Sequence, residues 1–336
     1  MTNEHASLAR DARFLITGAK GFIGAWIVKD LVERGLRPCI FDLDTECRRL
    51  DTLLDKEQLA SLSFIQGNVT SFADVDRAVA ELGITHVLHL AGVQVPACAA
   101  DPVGGAMVNV IGTLNIFEVA RRRRDLVQSI VYASSAAVFG PEEFYGAATV
   151  PEGAPLLPGT HYGVFKQCNE GNARVYFLND GISSVGIRPW AVYGVGRDQG
   201  MTSGPTKAVK ASVIGRPYTI RFTGGVDMQY VRDTARIFLR CAEARLPGAK
   251  TYTPRGSVIR VEEFIAALER ILPQARGLTT AQGKPIPIAA DLDDSALLRD
   301  LGDVPSTPLE EGIRETAAIF ARLNKEGRLD TRDLED

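Results

Sequence analysis

From residue 13 to residue 188 the chain alternates short β-rich runs with longer helical patterns, and no other feature restricts its fold so tightly. The runs are RFLIT (13–17), PCIFD (38–42), LSFIQ (62–66), HVLHLA (86–91), SIVYAS (129–134) and SSVGIR (183–188). Strands separated by helix-length segments do not pair as hairpins. They join in parallel through crossover helices that cover both faces of the sheet. The expected fold class is therefore α/β, a doubly wound parallel sheet. After Pro189 the alternation lapses into WAVYGVGRDQGMTSGPT, rich in Gly, Thr and Ser, where a smaller C-terminal substrate lobe is expected to begin. The expected divisions are an N-terminal tail over 1–12, a first domain over 13–188, the second lobe over most of 189–322, and a fraying polar tail over 323–336.

Charge narrows the partners. A formal net charge of −3 over 336 residues is too even for a nucleic-acid binder, and the only basic run, RRRRDL at 121–126, reads as a solvated helix end. No apolar stretch reads as long enough to span a bilayer, and MTNEHASLARDAR lacks the apolar core of an export signal, so a cytoplasmic protein is expected. The cysteines, Cys39, Cys47, Cys98, Cys168 and Cys241, are scattered and read as free buried thiols. The histidines, His5, His86, His89 and His161, have no ligand spacing either, so no metal site is expected.

The first strand runs into TGAKGFIG and then an amphipathic segment. Glycines in a strand–turn–helix let the backbone approach a pyrophosphate, which the free N–H groups of the helix N-terminus then bind. Gly18, Gly21 and Gly24 have that context in a GxxGxxG spacing. An acidic residue ending the second strand accepts hydrogen bonds from the ribose hydroxyls of NAD and repels the 2′-phosphate of NADP. Asp42 stands there, with Arg48 and Arg49 close enough in sequence to soften the preference. A dinucleotide site preferring NAD is expected.

Further along lie HLAG at 89–92, NVIGTLNIFEVA from Asn109, VYASSAAVFG from Val131, YGVFK at 162–166 and IRPWAVYG from Ile187. With the glycine turn, and in this order, these stretches resemble the extended short-chain dehydrogenase/reductases, the NAD-dependent epimerase/dehydratase family, over nearly all of residues 13–322. The resemblance implies a Rossmann sheet, NAD as cofactor and a homodimer formed through two helices, here Pro102 to Arg122 and His161 to Asn179. It places Gly18, Gly21, Phe22, Ile23 and Gly24 around the pyrophosphate, Asp42 on the adenine ribose, and Asn68 and Val69 at the adenine. Many relatives carry Asp at the position of Asn68. Leu90, Ala91 and Gly92 fall on the nicotinamide side, with Pro189 and Val192 under the carboxamide.

Tyr162 and Lys166 are four apart in a helical pattern and so share a face. A free tyrosine is a poor base near neutrality, but a nearby ammonium and the positive nicotinamide favour its phenolate. The resemblance makes Tyr162 the base, gives Lys166 the nicotinamide ribose, and aligns the substrate-orienting hydroxyl with Ser135, leaving Ser134 to the cofactor. Asn109 either positions a water or the lysine, or is a structural asparagine.

The departures from the family are informative. Sugar-nucleotide dehydratases place an Asp–Glu pair after the catalytic Thr, where this chain has Ala136 and Ala137, so elimination of water is not expected. Nucleotide-sugar epimerases grip the diphosphate with two arginines, where this chain has Val226 and, in GKPIPIAAD, only Lys284. A smaller polar substrate is expected: a free sugar, sugar acid, lactone or hydroxy compound. Its candidate contacts are Gln94, Ser135, Tyr145, Trp190, Arg197, Met201, Thr202 and Ser203, each of which reads equally as loop or wall. Arg197 suits a carboxylate, unless Asp198 neutralises it. Without a diphosphate tether, a dehydrogenase is expected ahead of an epimerase. A cofactor-sensing protein without catalysis is a third reading, disfavoured by the intact tyrosine and lysine.

Overall fold

The six β-rich runs form strands β1 (Phe14–Thr17), β2 (Cys39–Asp42), β3 (Ser63–Gln66), β4 (His86–His89), β5 (Ser129–Ala133) and β6 (Ser184–Ile187) in the computed structural model, which describes residues 12–44, 46–146 and 148–335. Beyond them β7 (Ala191–Tyr193), β8 (Tyr218–Ile220) and β9 (Gly225–Tyr230) lie in the second lobe. The chain then returns to the first sheet as β10 (Ala249–Tyr252), which pairs in parallel with β6. The order of this seven-stranded parallel sheet is β10-β6-β5-β4-β1-β2-β3. The order reverses between β1 and β4, the place where a doubly wound sheet opens a crevice for a ligand.

Four helices cover this sheet within the first domain: α1 (Phe22–Glu33), α2 (Phe72–Leu82), α3 (Pro102–Arg122) and α4 (His161–Asp180). Ser71 caps α2 by accepting from the Asp74 N–H, and Gly83 ends it in the left-handed region. Helix α3 contains a π turn over Met107–Ile111, and its basic end is solvated as the charge run suggests, with Arg121 on Glu118 and Arg123 on Asp76. By length and a mean hydropathy of 1.4, α3 is apolar enough to cross a membrane, which corrects the sequence expectation. Its inner face, with Asn109, Thr113, Ile116 and Phe117 buried, packs against the protein instead.

The second lobe holds α5 (Gly204–Val213), α7 (Val261–Ile271) and α8 (Leu309–Lys325), with β11 (Ser257–Arg260) and β12 (Thr279–Ala281). Between them α6 (Val231–Ala244) leads back to β10, so the division expected at residue 188 is crossed by residues 231–252. Helix α6 lies against α1, with Arg236 donating to Asp30. The expected tail over 323–336 is also corrected. Lys210 donates to both Asp333 oxygens and to the Asp330 carbonyl, and Leu334 is buried. Of the N-terminal tail, residues 1–11 lie outside the described residues.

Candidate active site

The β1–α1 turn is shaped by close approach. Gly18 has φ +67°, and a Cβ there would meet the Ala91 nitrogen at 2.7 Å, so both conformation and space demand glycine. Gly21 starts α1 with no side-chain cap, leaving first-turn N–H groups for an anion. Gly24 packs on the Gly18 carbonyl inside the turn. At the end of β2, Asp42 accepts from the Lys20 N–H at 3.2 Å and the Leu43 N–H at 2.9 Å. Burial pushes its pKa up, against these two bonds. The nearby arginines are engaged elsewhere: Arg49 with the carbonyls of Lys20 and Gly196 and with Asp198, and Arg48 with Asp330. After β3, the Asn68 side-chain oxygen accepts from the Thr70 N–H, and Val69 is buried with its carbonyl held by Asn115.

A cavity of 270 Å³ opens at the sheet's reversal point. Gly18, Gly21, Phe22, Ile23, Leu90, Gly92, Ser134, Ser135, Tyr162, Lys166, Pro189 and Val192 line it, as do Gln94, Trp190, Arg197, Met201 and Thr202. Gly24, Asp42, Asn68, Val69, Ala91 and Asn109 lie outside this lining, as do Tyr145 and Ser203. Tyr145 stands behind the wall, its ring edge-on to Phe139 and its hydroxyl accepting from the Gly140 N–H. Ser203 is buried at the start of α5. Sequence reasoning passed over Val95, Pro96, Phe139, Ile286, Pro287 and Ile288, all of which line the cavity. The signal for Ile286, Pro287 and Ile288 was the apolar PIPI run, scanned above only for a missing arginine.

Helix α4 carries Tyr162 and Lys166. Thr160 caps it by accepting from the Gly163 N–H at 3.1 Å, and Gly163 lets it approach the serine loop, where a Cβ would lie 2.2 Å from the Ala137 carbonyl. The Ser135 hydroxyl accepts from the Ala137 N–H and lines the same cavity as the Tyr162 phenol, whose pKa it lowers. The Ser134 hydroxyl donates to Glu170, which is also held by Arg188. Burial raises the Tyr162 pKa, and the Ser135 hydroxyl and the Arg197 charge oppose it. The Lys166 ammonium stands 5.5 Å from the Tyr162 ring centre and donates to the Ala133 carbonyl at 2.6 Å. Burial pushes its pKa down to about 8.

A buried polar chain supports the nicotinamide side. Thr113 donates to the Asn109 carbonyl, so it accepts from His89 Nε2, leaving His89 Nδ1 to accept from the Thr17 hydroxyl, which accepts in turn from the Ala91 N–H. Burial holds His89 neutral, with its pKa down at about 3. Asn109 donates to the Val93 carbonyl, while its Oδ1 is buried without a partner among the described residues, beside Gly92. That orphaned acceptor, the glycine cradle and the Asp42 carboxylate fit a dinucleotide, which would supply the hydride acceptor. Among the described residues no group of three His, Cys, Asp or Glu could hold a metal. The cysteines are free, but Cys168 is exposed and Cys47 half-buried, against the expectation that all are buried.

Comparison with known proteins matches residues 14–252 to the NAD dependent epimerase/dehydratase family. A UDP-glucose 4-epimerase of Mycolicibacterium smegmatis is 27% identical over 318 residues, covering 92% of this chain and 98% of that enzyme. A partial-consensus L-threonine 3-dehydrogenase structure superposes with a TM-score of 0.80 at 25% identity, covering 92% and 99% of the two chains. The Thermus thermophilus UDP-glucose 4-epimerase in complex with NAD gives 0.74 at 27%, covering 92% and 98%. The chain therefore belongs to the NAD-dependent epimerase/dehydratase family of extended short-chain dehydrogenase/reductases, with NAD as its cofactor.

Proposed function

We propose that this chain is an NAD-dependent dehydrogenase that transfers a hydride between NAD and a secondary alcohol or ketone of a small substrate, with Tyr162 as the base. In the oxidative direction the Tyr162 phenolate takes the hydroxyl proton as the carbon-bound hydrogen leaves with its electron pair. Ser135 orients the substrate oxygen and stabilises the charge developing on it. Lys166 holds the nicotinamide ribose. Elimination of water has no support here, because Ala136 and Ala137 are buried beside the site and no Asp or Glu is among the described residues that line the cavity.

The absence of a diphosphate grip carries the preference for a dehydrogenase over an epimerase. Lys166 and Arg197 are the only cations among the described lining residues. Val226 is buried in β9, paired with Ile259, and Lys284 is exposed outside the lining. An epimerase must hold its substrate while the keto intermediate turns over. Similarity to UDP-glucose 4-epimerases along more than nine-tenths of the chain favours that second reading.

The deciding experiment follows absorbance at the NADH wavelength with free sugars, hydroxy acids and polyols beside UDP- and GDP-sugars. Stoichiometric NADH supports the dehydrogenase. An inverted sugar configuration without NADH release would establish the epimerase. We further propose a cytoplasmic homodimer joined through α3 and α4.

A further inference from the structure

Among the described residues Arg197 is the cation at the substrate end of the cavity, and no carboxylate forms an ion pair with it. The neighbouring Asp198, which could have neutralised it, gives its carboxylate to Arg49 at 2.5 Å. Arg197 donates Nη2 to the Thr202 hydroxyl at 2.9 Å and rests over the Phe22 ring. Its Nε is buried with no acceptor among the described residues. An unpaired buried donor on a charged group is costly, and a carboxylate is the ligand whose geometry matches a guanidinium edge. Gln94 converges on the same point: a Cβ on Gly200 would meet its Oε1 at 2.1 Å and Arg197 Nη2 at 3.2 Å.

The surrounding wall has a different character. Val95, Phe139, Trp190, Met201, Ile286 and Ile288 face the cavity, and the Trp190 indole N–H is already engaged by the Ala289 carbonyl. A polyol would leave several hydroxyls unpaired against such walls. An ammonium group would find no carboxylate, since no Asp or Glu is among the described residues that line the cavity.

We propose that the substrate is a hydroxy carboxylate with a largely apolar carbon frame and no ammonium group, its carboxylate seated on Arg197. This rests on the dehydrogenase reading for the reaction but not for the anion seat. The alcohol's C–H hydrogen leaves as hydride to NAD, its O–H proton goes to Tyr162, and an oxo carboxylate and NADH are the products. Amino acids such as L-threonine are excluded, although a structural relative bears that substrate's name.

The test uses the full chain and two readouts. In the first, NADH formation is compared across short aliphatic 2- and 3-hydroxy acids, their primary amides, hydroxy amino acids and gluconate. The acid is expected to exceed its amide in kcat/KM by on the order of 100-fold, and Arg197→Gln to erase that ratio while Arg197→Lys keeps part of it. Equal use of the amide, the amino acid or gluconate would overturn the proposal, as would an Arg197→Gln variant that keeps the acid preference. In the second, aliphatic oxo acids are titrated calorimetrically into the NADH complex of wild type and Arg197→Gln. Binding lost in the variant supports the anion seat even if no compound yields NADH, in which case the dehydrogenase reading alone fails. Binding by none of the acids, or equal binding in both proteins, overturns it.

Discussion

Ser135 and Tyr162 face each other in the cavity between β5 and α4, where the Ser135 hydroxyl works against the burial that raises the phenol's pKa. Tyr162→Phe is expected to lower kcat by about 10³-fold, within the range for a lost general base, while NADH still binds by fluorescence titration. Oxidation should accelerate as pH rises through the phenol's ionisation, because the base form is the deprotonated one. Ser135→Ala removes a hydroxyl that favours the phenolate, so its pH–rate profile should move to higher pH. A profile that stays in place would detach Ser135 from the tyrosine.

Gly18→Ala places a methyl group on the Ala91 backbone at a positive φ. Strain of about 1–2 kcal/mol from the left-handed backbone adds to that clash. The expected result is a lower melting temperature and NADH affinity weakened by at least about tenfold.

Asp42 keeps its carboxylate at the end of β2, beside the glycine turn, and Arg48 and Arg49 do not offset it because both are paired elsewhere. Wild type should therefore prefer NAD to NADP. Asp42→Ala should narrow the ratio of the two kcat/KM values by about tenfold or more, through the loss of repulsion. An unchanged ratio would place the discrimination outside Asp42.

His89 and His86 are buried in neutral form, with pKa values pushed down to about 3 and about 4. The unfolded chain binds these protons near pH 6.5 and the native one does not, so their contribution makes stability rise with pH between about 3 and 6.5 and fall on acidification through that window. Urea denaturation across that range should show a slope reduced by up to about one proton in His89→Gln. An unaltered slope would mean that His89 titrates normally in the native state.

On the outer faces of α3 and α4, Val103, Met107, Val164, Val175 and Leu178 are exposed at helical spacing. Sedimentation should give a dimer, and Val164→Glu together with Leu178→Glu a monomer with unchanged circular dichroism. A wild-type monomer at micromolar concentration would remove the proposed interface.

The sheet was legible because strand and crossover periodicities differ, and the family resemblance picked out Ser135, Tyr162 and Lys166, which the fold brings into one cavity. β10 was not legible, since AKTY is short and polar, and only its pairing with β6 makes it a strand. The substrate wall was equally hidden. Ile286 and Ile288 lie more than a hundred residues beyond Tyr162, and nothing local says that they fold over it. Tyr145 shows the opposite failure: it has the right residue type, but it stands behind the wall with its hydroxyl engaged by the Gly140 N–H. The partner of Asp198 could not be read from adjacency, because the side chain beside it in sequence is not the one that holds it.

Arg49 reaches from the segment after β2 to both the Lys20 carbonyl in the glycine turn and the Gly196 carbonyl beside Arg197. One guanidinium thus fastens the glycine turn to the loop that carries Arg197. A displacement of either segment is therefore felt by the other through this one side chain.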